Sequence, residues 1–296
     1  MPEAENLSTR GAVRDDKADV LEICERVYGE RDYLPEVWDN WVSNEPSSGE
    51  FRIGMLDGRI VGFYHLTYRG NQSWMESLRV DVDRRRMGIG RRLTHDALDR
   101  VTAKGSRVIR LVTSQRNLGS RGLFREQAFE EVTYPHYMKF DGVMHPSSDN
   151  SLVRNPERDE IVKFLHSSGS LGGPHFLSPL WWRWWEFDEM MLDELLENGS
   201  ALGLGDGGNL DALLLLNTTS RFGYKNSVQI TFLGGTIQTM YTLTKHIPRY
   251  LDKTSGDEGI TGYFSIPARG SEAEMALSQA SFEDGTNLVV VQKILT

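Results

Sequence analysis

The chain has 296 residues, of which 39% are hydrophobic and 25% charged, a composition that suits a globular protein with apolar mass for two modest cores. Its 42 acidic residues outweigh 33 basic ones to give a net charge of −9, which argues against a general nucleic-acid binder, since such proteins carry a basic surface. A lone cysteine, Cys24, excludes an internal disulfide, the acidic start Met1-Pro2-Glu3-Ala4-Glu5-Asn6 lacks a signal-peptide core, and no apolar run approaches the ~20 residues of a membrane span, so a cytoplasmic protein with no membrane attachment is expected.

In chain order, residues 7–14 read as a strand, 16–28 as a helix and 34–42 as a second helical stretch. Cys24 falls on the apolar side of the first helix, where packing accounts for it better than nucleophilic chemistry. Residues 51–56 and 59–67 flank Asp57-Gly58, a strong two-residue hairpin signal. Residues 73–80 alternate large and small side chains as a strand, and 91–98 place apolar residues at helical spacing. Between them lies Arg85-Arg86-Met87-Gly88-Ile89-Gly90, whose glycines let backbone N–H groups converge while the helix dipole adds positive potential. That is a cradle for a phosphorylated group. A strand at 107–113, a helix at 117–127 and a closing strand pair follow.

Set between a strand and a helix, Arg85-x-x-Gly88-x-Gly90 resembles the acyl-CoA signature of the GNAT acetyltransferase superfamily. The segment from Asn117 to Phe129 (N-L-G-S-R-G-L-F-R-E-Q-A-F) is similar to that superfamily's next motif, Asn…Leu-Tyr-Glu-Lys-x-Gly-Phe, and the resemblance runs from about residue 7 to residue 140. It implies a GNAT fold, acetyl-CoA as acyl donor and a small-molecule amine as acceptor. By the same resemblance Arg85, Arg86, Met87, Gly88, Ile89, Gly90 and Arg91 surround the pyrophosphate. Leu78 and Val80, with Arg79 between them, offer backbone groups to the pantetheine arm at a strand bulge. A main-chain N–H near Leu78 polarises the thioester oxygen. Asn117 steadies the pantetheine, and Glu76 takes the proton of the amine, either directly or through water. Phe124 stands beside the cofactor, where family members often carry a tyrosine as general acid. Phenylalanine has no proton to give, so Tyr134, His136 and Tyr137 are the replacement candidates, with strand packing as the equal alternative for the two tyrosines; a CoA thiolate is also a fairly good leaving group without an acid.

The region between the first two strands bears on the acceptor. The run Tyr28-Gly29…Asp32-Tyr33-Leu34-Pro35, together with Met75-Glu76-Ser77-Leu78-Arg79-Val80, resembles the histidine N-acetyltransferases, which implies a free amino acid. Tyr33, Trp38 and Trp41 either form an aromatic wall against a planar side chain or belong to the core. Arg31 or Arg79 would hold a carboxylate through a forked pair of hydrogen bonds. His65, on the third strand, either faces the acceptor or packs in the sheet. No pair of histidines has metal-ligand spacing, so no metal is expected.

The second half echoes the first. Residues 142–150 are small and polar and read as a linker, giving domains at 1–141 and 151–296. A hairpin at 200–204 and 210–216, a strand at 228–233, a helix at 236–251, then 259–266, 272–280 and 288–293 repeat the order of elements. Phe282 stands to Phe129, and Gln229 to Glu76, at one and the same offset. The expected fold is therefore α/β (α+β), with tandem GNAT-like mixed-sheet domains. The second copy has Gly234-Gly235-Thr236 for the phosphate loop and Gln229 for the base, so its chemistry is expected to be degenerate. Gly203-x-Gly205-x-x-Gly208 matches a dinucleotide fingerprint, but a strand-like run follows it where a helix is needed, and it is discarded. The cluster Trp181-Trp182-Arg183-Trp184-Trp185 is read as packing, with a substrate wall, dimer surface or membrane contact as the sharper alternatives. Two functions from different classes remain: an acetyl-CoA-dependent N-acetyltransferase, and a non-catalytic acyl-CoA-binding sensor.

Overall fold

Alternation and turn chemistry set the first strands. β1 (Ser8–Gly11) pairs antiparallel with β2 (Gly49–Leu56), which turns into β3 (Arg59–Arg69) through Asp57 and Gly58. Their φ angles of 51° and 75° give the turn whose twist matches that of the flanking strands. The predicted first strand stops at Gly11 because Arg14–Asp16 form a 3-10 turn, which Arg10 holds by donating to both Asp16 carboxylate oxygens at 2.7 Å. The computed structural model describes residues 6–29, 32–43, 48–142, 144, 153–171, 177–217, 227–251 and 262–295.

Two compact units emerge, one of Met1–Val132 with Val290–Thr296 and one of Thr133–Val289. In the first, α1 (Lys17–Tyr28) buries Val20, Ile23 and Cys24, and ends at Gly29 with φ 67°. Burial pushes the Cys24 thiol up to about 12, so it is an inert core residue at neutral pH. α2 (Leu34–Ser43) buries Leu34, Val37, Trp38 and Trp41. β4 (Gln72–Val80) pairs antiparallel with β3 and parallel with β5 (Val108–Ser114), the parallel step being made by α3 (Ile89–Ala103). α4 (Leu118–Glu126) and β6 (Glu130–Thr133) follow. Val290–Thr296 returns from the far end of the sequence to complete this unit. Arg110, 1% exposed, donates from Nε to Gln292 Oε1 at 3.1 Å and from Nη1 to Gln72 Oε1 at 2.7 Å. Leu295 N–H donates to the Arg107 carbonyl at 2.9 Å, and Lys293 Nζ to the Gln127 carbonyl at 2.8 Å.

The second unit runs through β7 (His136–Asp141), β8 (Val153–Arg154), α5 (Arg158–Ser167), β9 (Leu177–Leu180), β10 (Arg183–Glu186), α6 (Glu189–Asn198), β11 (Gly199–Leu204), β12 (Ala212–Asn217), β13 (Ser227–Gly234), α7 (Ile237–Leu251), β14 (Gly262–Ser265), α8 (Glu272–Gln279) and β15 (Glu283–Ile294), the last strand continuing into the segment that completes the first unit. Its core gathers Leu214, Leu216, Val228, Ile230, Leu243 and Phe282. The plan repeats that of the first unit. β11 and β12 form a hairpin, β12 and β13 pair antiparallel with a register shift between Leu215 and Leu216, and β13 pairs parallel with β14 after α7. Gly205 and Gly208 lie in the β11–β12 turn, so the fingerprint-like run opens no helix.

Against the sequence-drawn division, Thr133–Asp141 group with the second unit and Val290–Thr296 with the first. Of the linker at 142–150, only Gly142 and Met144 are among the described residues, and Met144 is buried. The tryptophan cluster is a two-residue hairpin turn. Trp181 and Trp182 take φ 57° and 63° between β9 and β10, Trp184 and Trp185 are buried, and the Trp182 ring packs 5.1 Å from Tyr137 and 6.4 Å from Phe264. No helix among the described residues is long and apolar enough to cross a membrane.

Candidate active site

The site is built on a bulge. β3 and β4 pair Phe63 with Arg79 and His65 with Glu76, so Ser77 and Leu78 together oppose the single residue Tyr64. Ser77 takes φ 57° to do so. Gly62 permits the close approach, because a Cβ there would lie 2.6 Å from the Arg79 carbonyl oxygen and 3.0 Å from Leu93 Cδ1. A bulge turns backbone groups out of the ladder and re-aims side chains.

Around it the side chains converge. Glu76 Oε1 lies 2.9 Å from His65 Nδ1 and accepts from Thr67 Oγ1 at 3.3 Å. The His65 ring is stacked on Trp41, with centroids 3.9 Å apart and planes within 4°. Tyr33, from the segment before α2, shares a 2.5 Å hydrogen bond with Ser77 Oγ, and its ring edge meets Trp41 at 6.0 Å. Burial, joined by the charge of Glu76, pushes the Tyr33 phenol up to about 12, so it keeps its proton at neutral pH. Arg79 donates from Nε to Asp32 at 3.2 Å, and its guanidinium lies 4.4 Å over the Tyr28 ring. Burial works against the Arg79 charge, yet the tyrosines and Asp32 beside it hold its pKa above the ordinary guanidinium value.

The expected phosphate cradle falls at the start of α3. Gly88 is its N-cap, with φ 82°, Arg86 takes φ 66°, and no side chain caps the helix. The first-turn N–H groups therefore suit a ligand anion. Arg85, Arg86 and Gly88 are exposed, Met87 is half-buried and Ile89 is buried. Gly90 keeps α3 close to its surroundings, since a Cβ there would meet Leu123 Cδ2 at 3.3 Å and Val80 Cγ2 at 3.8 Å. Arg91 is engaged with Glu126 at 2.6 Å in an exposed pair. Asn117 caps α4, its Oδ1 accepting from Ser120 N–H at 3.1 Å.

Several residues take other places than those expected. Trp38 is 0% exposed and packs edge-on against Phe51, so it belongs to the core and not to a wall open to an acceptor. Phe124 is likewise buried, 5.2 Å from Phe129, and packs where a cofactor contact was expected. Tyr134 and Tyr137 belong to the second unit. The Tyr134 carbonyl accepts from Arg269 N–H at 2.9 Å, and Tyr137 packs with Trp182 and Phe264. Arg31 lies outside the described residues. His65, Glu76 and Tyr33 do come together, along with Thr67 and Ser77, which the sequence reading passed over. The signal for Thr67 was its position two residues from His65, on the same strand face.

At the corresponding places in the second unit, polar groups bond within that unit. Gln229 Nε2 donates to the Pro179 carbonyl at 2.7 Å, and Thr231, at the register shift, donates to the Leu215 carbonyl at 2.9 Å. At the start of α7, Thr236 N–H donates to Thr239 Oγ1 at 3.0 Å, where α3 keeps its turn uncapped.

Residues 17–129 match the Acetyltransferase (GNAT) family. A mycothiol acetyltransferase of Clavibacter michiganensis subsp. michiganensis is 35% identical over 76 residues, which are 26% of this chain and 25% of that protein. The chain thus matches only about a quarter of the length of that curated relative. Among solved structures, a GCN5-related N-acetyltransferase from Sphaerobacter thermophilus superposes with a TM-score of 0.67 at 14% identity, over 98% of this chain and 96% of that one. A tandem GNAT protein from the clavulanic acid biosynthesis pathway superposes with a TM-score of 0.56 at 13% identity, over 98% of each chain. At these identities the likeness is one of fold, and it runs through both units.

Proposed function

From the premise that residues 17–129 are a GNAT acetyltransferase domain, we propose that the chain is an acetyl-CoA-dependent N-acetyltransferase acting on the amine of a small molecule. The observation that carries this reading is Glu76, held beside the Ser77–Leu78 bulge on the strand that leads to the uncapped start of α3. Gly88 at φ 82° and the adjoining N–H groups suit a pyrophosphate, with Arg85 and Arg86 exposed beside them. Acetyl-CoA, when bound, supplies the acetyl group as a thioester with a thiolate leaving group. Glu76 takes a proton from the acceptor ammonium, freeing its lone pair for the new N–C bond. In this reading a main-chain N–H near Leu78 donates to the carbonyl oxygen as it gains charge. The proton on Glu76 then passes to solvent, restoring the carboxylate; the C–S bond breaks with its electron pair leaving on the thiolate, which takes the second N–H proton lost as the amide forms. Leu78, Val80, Asn117 and Arg91 are the candidates for holding the cofactor.

The acceptor we favour is a free α-amino acid with a planar side chain, histidine first. The Tyr33 ring feels the charge of Glu76, and Arg79, paired with Asp32, is the cation beside it. An α-amine titrates near 8, within reach of a carboxylate relay at neutral pH, whereas a lysine side chain titrates near about 10.4. The expected result is a kcat/KM for histidine above those for polyamines and a lysine peptide, measured by release of free CoA thiol. A polyamine or peptide preferred by more than about tenfold, a difference of about 1.4 kcal/mol in barrier, overturns the acceptor and leaves the transferase standing. No thiol release with any amine removes the transferase reading and returns the chain to acyl-CoA sensing.

The second unit serves, in this reading, as a degenerate copy. Gln229 in place of a carboxylate and the Thr236–Thr239 cap both support that role. The buried Cys24 and the lack of any other cysteine suit work in a reducing cytoplasm.

A further inference from the structure

We infer that His65 is a positioning residue for Glu76 and makes no contact with the acceptor; the inference rests on the reading of Glu76 as the base. His65 is 1% exposed. Trp41 covers one face of its ring at 3.9 Å, and Phe51 meets the ring at 6.2 Å with planes 69° apart. A Cβ added at Gly49 would fall 3.2 Å from Nε2, so that edge of the imidazole looks onto β2 backbone. The remaining edge, Nδ1, is at Glu76 Oε1, 2.9 Å away. An acceptor molecule has no approach to a ring enclosed in this way.

A carboxylate only accepts, so the proton of this bond sits on His65 Nδ1. Thr67 Oγ1 donates to the same oxygen. Two donors from one strand on Oε1 fix the rotation of the carboxylate, and with it the direction in which Oε2 presents its lone pairs. The stack on Trp41 fixes the tilt of the imidazole in turn. Trp41, His65 and Glu76 thus form a relay of orientation from α2 to the bulge.

The relay also acts on proton affinity. Among the described residues, His65 from β3 is at hydrogen-bond distance from Glu76, and Glu76, Arg79 and Asp32 all act on the Tyr33 phenol beside it. Asp32 favours the protonated carboxyl, while Arg79 and the His65 donor favour the carboxylate. Removing the His65 donor shifts the sum one way only, whether the imidazole is neutral or charged: the carboxyl becomes easier to protonate. The acidic limb of the rate profile, which reports the base losing activity as it takes up a proton, must then move to higher pH.

The test is the pH dependence of kcat/KM for the full chain carrying His65→Phe, which keeps a ring to stack on Trp41 and removes the donor. The expected result is an acidic limb raised by about one pH unit and kcat lowered about tenfold at neutral pH, with unchanged acceptor KM and unchanged acetyl-CoA affinity by calorimetry. His65→Asn, whose Nδ2 stands near the place of Nδ1, is expected to bring the limb back towards that of the wild type. Thr67→Val removes the other donor to Oε1 and moves the limb in the same direction by less, so the idea remains testable if His65→Phe does not fold. A raised KM with an unshifted limb makes His65 an acceptor contact and overturns the inference. So does a wild-type profile in both His65→Phe and Thr67→Val. Glu76→Gln is measured in parallel: if it keeps full turnover the base reading itself has failed, and if it is inactive while the His65 and Thr67 variants match wild type, only the positioning role has.

Discussion

Glu76→Gln is expected to bind acetyl-CoA with wild-type affinity and to lose turnover at neutral pH by about 10²–10⁴-fold, the usual contribution of a general base. Glutamine keeps the size of the side chain and an acceptor oxygen for His65 Nδ1 and Thr67 Oγ1, so the local packing survives. It loses the one property that matters, the capacity to hold a proton taken from an ammonium. Turnover is expected to recover partly as pH rises, since above the pKa of the acceptor the amine needs no base. Single-turnover rates from pH 6 to pH 10, with calorimetry for the cofactor, check this. Activity within a few-fold of wild type would remove Glu76 from the mechanism.

The larger effect on binding is expected from Gly88→Glu. Gly88 holds φ 82° as the N-cap of α3, a backbone state that a Cβ opposes. A carboxylate at that point also places negative charge where the first-turn N–H groups present their positive potential. Both terms act against a pyrophosphate, and acetyl-CoA affinity is expected to fall below detection by calorimetry. Gly88→Ala separates them, because it carries the backbone cost without the charge, and is expected to bind more weakly than wild type yet measurably. Undiminished affinity in a folded Gly88→Glu variant would place the cofactor elsewhere.

Much of the local structure of the candidate site was legible because it is written in local order. Strand, glycine loop and helix at 73–98 can be read without any long-range information, and Asp57-Gly58 announces its hairpin by conformational preference alone. The pairing of His65 with Glu76 was also present, though unread. Gly70, at φ 53°, opens a two-residue turn between β3 and β4, and His65 and Glu76 stand five residues from it on either side. The Tyr33–Ser77 bond was not legible in this way. Strict alternation sends Ser77 to the face opposite Glu76, and only the bulge, set by the room at Gly62, changes its aim.

Where reading failed, long-range packing decided. Trp38 and Trp41 lie on one helical stripe of α2, and the composition of that stripe cannot say which ring meets Phe51 alone and which stacks on His65. Phe124 reads as a degraded cofactor contact by motif, yet its partner is Phe129, five residues on. The tryptophan cluster was read as packing, and Trp184 and Trp185 are buried, but the composition gave no sign that Trp181 and Trp182 occupy turn positions usually left to glycine or asparagine. The division between units was misplaced for a further reason. A linker is recognised by composition, but the return of Val290–Thr296 to the first unit leaves no compositional mark.

That return has a consequence in time. A ribosome delivers residues 1–132 first, but Arg110 and Arg107 find their partners in Gln292 and the Leu295 N–H only after the intervening second unit has been made. Until then the buried guanidinium of Arg110 lacks one of its acceptors, and β5 lacks the neighbour that covers its edge. The first unit therefore completes its fold only after residues 133–289 have been made.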